Sequence, residues 1–263
     1  MAMNRQEKAQ VFRALHEGEP FVIPNPWDAG SARVFEALGF EALATTSSGF
    51  AFTLGRLDGA ATLDEVCAHT TLVDDATGLP VSVDLENGYS ADAAGVAAAI
   101  ARVADAGAVG ASIEDYDPSG RLYELDQAVE RVVAAVEAAR RLDFPFVLTA
   151  RAENHIRGNP DLEDTITRLQ AFEAAGADVL YAPGLRTVDE IRTVCDQITR
   201  PVNVLALGDL SLAEIAQAGA QRVSVGGGLT WVSVRAFADA ASAIRDGDLS
   251  SLGVGVPLRE WFA

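Results

Sequence analysis

Strand-like apolar segments alternate with amphipathic helical segments along the whole chain, and this regularity limits the fold more than any other feature. Strands read at 21–25, 41–47, 81–87, 109–114, 144–151, 179–182, 201–207 and 222–225. Helices read at 4–17, 31–38, 62–77, 92–106, 126–142, 162–175, 188–198, 212–218 and 231–245. Gly39, Gly107 and Gly176 each sit where a helix stops, 68 and 69 residues apart, which is two βα units of roughly 34 residues. Strict βα alternation favours a parallel sheet, and eight units in a chain of 263 residues predict one (β/α)8 barrel domain over 1–263. An open doubly wound sheet is the alternative. It carries a Gly-x-Gly-x-x-Gly turn after its first strand, and residues 25–30, Asn-Pro-Trp-Asp-Ala-Gly, are not one. Residues 246–263 read as a final helix or as an arm onto a partner subunit.

Charge and composition exclude several function classes. A formal charge of −18 disfavours a nucleic-acid or anionic-membrane partner. No apolar run reaches membrane-span length, and the polar start of the chain shows no signal peptide. Two cysteines, Cys67 and Cys195, make a disulfide framework improbable and point to a cytoplasmic, reducing setting. Lys8 is the only lysine and lies in the first helix, so a Schiff-base mechanism lacks its amine.

In a barrel the site lies at the C-terminal ends of the strands. The third strand places Val81, Val83 and Leu85 on one face and Ser82, Asp84 and Glu86 on the other. Two carboxylates aimed into one space need compensation. A hard divalent cation with oxygen ligands supplies it; pairing to arginines is the alternative. Around them the strand tops offer Thr46, Ser47, Ser48 and Asp58; Tyr89; Glu114, Asp115 and Tyr116; Arg151, Glu153 and His155; Tyr181; Asn203; and the run Gly226-Gly227-Gly228.

Four motifs in this order carry a resemblance: Leu54-Gly55-Arg56-Leu57-Asp58, Asp84-Leu85-Glu86-Asn87-Gly88-Tyr89, Ser112-Ile113-Glu114-Asp115 and Thr149-Ala150-Arg151-Ala152-Glu153. Together they resemble the isocitrate lyase/phosphoenolpyruvate mutase superfamily from about Pro24 to Ala240. The resemblance implies a (β/α)8 barrel holding Mg²⁺, with Mn²⁺ as a substitute, on Asp84, Glu86 and Glu114, with Asp58 one layer out. It also implies that Thr46, Ser47 and Ser48 hold a substrate carboxylate and that Arg151 clamps the substrate. Homodimers or homotetramers that exchange a C-terminal helix are expected. The chemistry agrees: cleavage beside a carbonyl leaves an enolate, which a Lewis acid and a guanidinium stabilise.

Two departures narrow the activity. The family's lyases carry Lys-x-Cys-Gly-His after the fourth strand, whereas residues 115–123 here read Asp-Tyr-Asp-Pro-Ser-Gly-Arg-Leu-Tyr. That argues against isocitrate and methylisocitrate cleavage, and a Lys-Thr-Asn-type mutase loop is absent too. Glu86 stands where many members have aspartate. The leading expectation is a Mg²⁺-dependent lyase or decarboxylase of an oxaloacetate-like 2-oxo or 2-hydroxy carboxylate. Phosphonopyruvate hydrolysis, phosphoenolpyruvate mutation and a binding protein without turnover are the alternatives. His155, Glu153, Tyr89 and Tyr123 are candidate catalytic groups. For these the competing roles are an ordinary loop histidine, an orienter of Arg151 and pocket lining. Arg121 and Asn203 are candidate substrate contacts, with Arg121 set to reach a distal carboxylate from a loop at 115–125 that gates the site. The glycine run reads as a phosphate cradle or a tight final turn.

Overall fold

The computed structural model describes residues 3–262, so Met1, Ala2 and Ala263 of the predicted polar start and tail lie outside the described residues. The first half runs α1 (Arg5–Leu15), β1 (Phe21–Ile23), α2 (Ala29–Ala37), β2 (Leu43–Ala44), α3 (Ser47–Thr53), α4 (Leu63–Ala76), β3 (Val81–Asp84), α5 (Ala93–Asp105) and β4 (Gly110–Glu114). A small hairpin follows, β5 (Tyr116–Asp117) and β6 (Arg121–Leu122), then α6 (Leu125–Arg140) and β7 (Val147–Arg151). The rest is α7 (Leu162–Ala174), β8 (Val179–Tyr181), α8 (Val188–Gln197), β9 (Val202–Leu205), α9 (Leu212–Gln217), β10 (Arg222–Ser224), α10 (Gly228–Arg245), a 3-10 turn (Ser250–Gly253) and α11 (Leu258–Trp261).

Eight parallel strands follow the order β1-β10-β9-β8-β7-β4-β3-β2. The end strands meet where Ala44 N–H donates to Pro24 O at 3.1 Å. Asn25 staples this seam: its Nδ2 donates to Thr45 O, and its Oδ1 accepts from Val225 and Gly226 N–H. The (β/α)8 barrel expected from the alternation is therefore what forms. Gly39, Gly107 and Gly176 have φ of 85°, 114° and 97°, the left-handed region in which a helix is stopped without a Cβ penalty. The predicted cap at Thr62 is a capping box with Glu65.

Helix α1 lies across the N-terminal ends of the strands and closes that mouth. Phe12, fully buried, packs so tightly on Gly110 that a Cβ there would come within 2.7 Å of its ring. His16 sits edge-on to Phe12 and Phe21. Its Nδ1–H donates to Phe12 O at 2.8 Å, which leaves Nε2 to accept from Arg222 Nη1 at 3.2 Å. Burial, then the Arg222 charge, hold its pKa down at about 3. His69, stacked on Phe50, is held down at about 4 by burial.

A histidine depressed in the fold takes up its proton in the unfolded chain first. Its contribution is complete above the unfolded value of about 6.5 and is lost as pH falls toward the folded value. Each of the two should cost up to about 1.4 kcal/mol per pH unit below 6.5. Urea unfolding at pH 7.5 and 5.5 checks this. His16→Asn should flatten the pH slope; an unchanged slope would contradict the linkage.

Three expectations about local structure are corrected. The central strand stops at Asp84, because Glu86 and Tyr89 take φ of 45° and 55° in a tight turn, so period two no longer applies at Glu86. The hydroxyl-rich end of the second strand is instead the start of α3, with Thr46 as its N-cap. The loop 115–125 contains the β5–β6 hairpin. In the tail, the helical alternative has a short counterpart in α11, and Arg33 donates to Phe262 O and covers its ring.

Candidate active site

Arg151, the last residue of β7, organises the C-terminal face. Its Nη1 donates to Asp84 Oδ1 at 2.8 Å, and its Nη2 lies 3.0 Å from Glu114 Oε2. Nε and Nη2 both reach Glu153 Oε1, at 3.0 and 2.7 Å. Register explains the meeting: Glu114 pairs with Arg151 across β4 and β7, and Asp84 ends the neighbouring β3. Burial alone would lower the guanidinium's pKa, but Glu153, Glu114 and Asp84 outweigh it and keep Arg151 firmly charged. The Asp84 carboxylate is completed by Ser47 N–H, which donates to Oδ2 at 3.1 Å.

Two adjoining cavities, of about 150 and 270 Å³, share Ser47, Asp58 and Arg151 in their walls. The smaller runs down the barrel past Thr46, Ser48 and Asp84 to Asn203 and Arg222. The larger runs outward past Glu86 and Glu114 to Tyr116, Pro118 and Arg157. Glu86 accepts a hydrogen bond from Tyr89 Oη and has no arginine partner among the described residues; burial pushes its pKa up to about 7. Burial likewise pushes Glu114 up, against the pull of Arg151.

Among the described residues no three His, Cys, Asp or Glu side chains converge as a ready-made metal shell. Of the carboxylates read from the sequence, Asp84 is held by Arg151 and Glu86 by Tyr89. Mg²⁺ does not require such a shell, since it keeps several waters and takes one or two protein carboxylates plus substrate oxygens. Asp58, Asp84, Glu86 and Glu114 all border the joined cavities as oxygen-only donors. Burial is the first cause of the upward shifts of Glu86 and Glu114; Glu114 already has Arg151 and Arg157 beside it, whereas Glu86 has no arginine partner among the described residues. The donor set thus fits a hard cation held largely through water.

Several candidates fall elsewhere. His155 points away from both cavities, with Nε2 3.8 Å from Glu190 Oε1 in the first turn of α8. Tyr123 is core: its hydroxyl accepts from Asn87 Nδ2, and Arg131 covers its ring. Tyr89 borders neither cavity and acts on Glu86 alone. Glu153, 1% exposed, is the positioning residue for Arg151, and its own N–H donates to buried Asp115. Arg121 is exposed on β6 and reaches only Ser119. Asn203 does floor the inner cavity, with both amide groups committed: Oδ1 accepts from Arg222 Nε, and Nδ2 donates to Ser224. Gly226 and Gly227 line the inner cavity's rim.

Two cavity-lining cations were missed. Arg222 is a buried cation hydrogen-bonded to Asn203, Thr149 and His16, with no carboxylate partner among the described residues; burial lowers its pKa to about 10. Its alternation with Ser224 along β10 was the available signal. Arg157 lies in the turn after β7 and borders the outer cavity; its only signal was the four-residue spacing from Glu153.

A family model described as phosphoenolpyruvate phosphomutase matches residues 12–245. The crystal structure of a candidate lyase/mutase from Burkholderia cenocepacia J2315 superimposes with a TM-score of 0.95 at 49% identity, over 98% of this chain and 96% of that one. The oxaloacetate decarboxylase of Paraburkholderia xenovorans LB400 is 32% identical over 257 residues, 93% of this chain and 84% of that protein. A structure of oxaloacetate acetylhydrolase with its product oxalate has a TM-score of 0.87 at 26% identity, covering 97% of this chain and 92% of that one. That activity is also represented by a complex with the inhibitor 3,3-difluorooxaloacetate.

Proposed function

The chain belongs to the isocitrate lyase/phosphoenolpyruvate mutase superfamily as a carbon–carbon lyase, and on that premise we propose that it cleaves a small oxaloacetate-type 2-oxo or 2-hydroxy carboxylate, with Mg²⁺, through an enolate. One observation carries the reading: a single buried guanidinium gathers Asp84 and Glu114 at the strand tops, beside cavities into which Asp58 and Glu86 also face. Asp84, Glu86 and Glu114, with Asp58 behind water, would hold the cation. When bound, Mg²⁺ (or Mn²⁺) supplies Lewis-acid stabilisation of the charge that develops on a carbonyl oxygen.

The chain's own residues supply the rest. Arg151, fixed by Glu153, sets a guanidinium against negative charge developing at the cavity junction and cannot lose its proton at working pH. Ser47 N–H and Arg151 orient Asp84. The hydroxyls of Thr46 and Ser48, 3.2 Å apart, stand ready for a substrate carboxylate at the start of α3. Tyr116 and Pro118 of the hairpin segment line the outer cavity. Thiol chemistry is set aside: Cys67 and Cys195 border neither cavity, and burial pushes both up, Cys195 to about 11. Titration calorimetry with oxalate tests the reading. Binding should require Mg²⁺ and vanish with EDTA. Metal-independent binding, or none, would contradict it; phosphate release from phosphonopyruvate would favour phosphorus–carbon chemistry instead.

The same reading extends to assembly. Helix α10 buries only Thr230 and leaves Trp231, Val232, Phe237 and Ile244 exposed around it. We take this helix as the contact with a second copy, giving a dimer or tetramer. Light scattering that gives a monomer mass at working concentration would contradict it.

A further inference from the structure

The geometry points to Arg157 as the residue that selects substrates with a second, distal carboxylate. The enzyme then takes 2-oxo dicarboxylates in preference to 2-oxo monocarboxylates. This assignment rests on the 2-oxo acid reading of the site and goes beyond it. Ser47, Asp58 and Arg151 are common to both cavities, so they mark the junction where the 2-oxo acid end belongs. Beyond the junction the outer cavity of about 270 Å³ is lined by Glu86, Asn87, Glu114, Tyr116, Pro118 and Arg157. A distal carboxylate on the substrate would lie in this space, with Arg157 as its cation.

Arg157 is built to receive an anion there. Its Nε donates to Glu153 Oε2 at 3.0 Å, and its Nη2 reaches Glu114 Oε1 at a longer 3.4 Å. The Tyr116 ring lies 4.0 Å from the guanidinium carbon and fixes its plane. Nη1 has no protein acceptor among the described residues, and the side chain is 38% exposed, so the group is held yet reachable. Arg151, the other cation in the wall, already serves Asp84, Glu114 and Glu153. A planar guanidinium with free N–H groups matches a carboxylate in geometry as well as charge, and pinning it beforehand lowers the ordering cost of binding. Arg121, the sequence-based candidate for this role, borders neither cavity.

The test compares two ligands on wild type, Arg157→Gln and Arg157→Lys in the presence of Mg²⁺. Oxalate fills only the chelating end of the site, whereas 3,3-difluorooxaloacetate adds a distal carboxylate. Arg157→Gln should weaken difluorooxaloacetate by roughly tenfold to a hundredfold, the cost of a lost charge-assisted hydrogen bond, and leave oxalate within about threefold. Arg157→Lys, which keeps the charge but not the fork, should recover part of the loss. Glu114 and Glu153 keep Arg151 in both variants, so both should melt close to wild type. Equal weakening of both ligands would make Arg157 a support for Glu153 and overturn the assignment, as would no weakening at all. Tighter wild-type binding of phosphonopyruvate than of difluorooxaloacetate would overturn the carboxylate preference. Wild type that fails to bind oxalate would sink the 2-oxo acid reading itself, and Arg157's role with it.

Discussion

Arg151→Met should cut turnover sharply and also weaken the fold, and the size of the second effect should depend on pH. The substitution preserves much of the side chain's volume and removes only the cation. Asp84, Glu114 and Glu153, with side chains 17%, 8% and 1% exposed, then face one another without the charge that holds them together. Breaking a buried pair from one side costs about 3–5 kcal/mol, because the remaining charge stays desolvated. Here three carboxylates are stranded, with only Arg157 left near Glu114 and Glu153. Glu114, which burial already pushes up, then loses the guanidinium that pulls it down and takes up a proton more readily in the fold than in the unfolded chain. Stability retained at low pH is then lost as pH rises through its raised value, so urea unfolding should show a larger deficit at pH 8 than at pH 5. A deficit independent of pH would mean that Arg151 acts through packing. Catalysis should fall by about a hundredfold to a thousandfold, the effect of removing one preorganised charge donor.

Asp84→Asn separates catalysis from stability. The amide keeps the shape and an acceptor for Ser47 N–H, and Arg151 still has Glu114 and Glu153. Unfolding should therefore shift little. The lost charge removes an oxygen ligand at the junction of the two cavities, so Mg²⁺-dependent oxalate binding should disappear and turnover should fall at least about a hundredfold. Retained turnover in chelator-treated buffer would show that the reaction does not run through a metal at this carboxylate. If the variant unfolds as readily as Arg151→Met, Asp84 is a structural partner of Arg151 first and a ligand second.

The fold was legible because a (β/α)8 barrel repeats one signal eight times, and helix-ending glycines punctuate it. The core of the site was legible for a related reason. Asp84, Glu114 and Arg151 end parallel strands in register, so their position in the sequence is their position in space. Legibility failed where the backbone leaves the strand. Glu86 lies past the end of β3 at positive φ, and its direction is set by Tyr89 rather than by alternation. His155 and Tyr123 have the residue types of a site, but their packing turns them to α8 and to Arg131. Arg157 was passed over because a turn carries no periodicity from which a side-chain direction follows. Its place is fixed by contacts with Glu153, Glu114 and Tyr116 that lie on three separate segments.

The most direct measurement of the central claim is turnover of a panel of 2-oxo and 2-hydroxy acids followed by NMR, with Mg²⁺ and with EDTA. Asp84→Asn serves as the control for cleavage by the metal ion alone. The account predicts Mg²⁺-dependent carbon–carbon cleavage of an oxaloacetate-type dicarboxylate by wild type, well above the Asp84→Asn rate and absent in EDTA. Cleavage no faster with wild type than with Asp84→Asn across the whole panel would contradict it, and tight oxalate binding alongside that result would leave a 2-oxo acid binding protein.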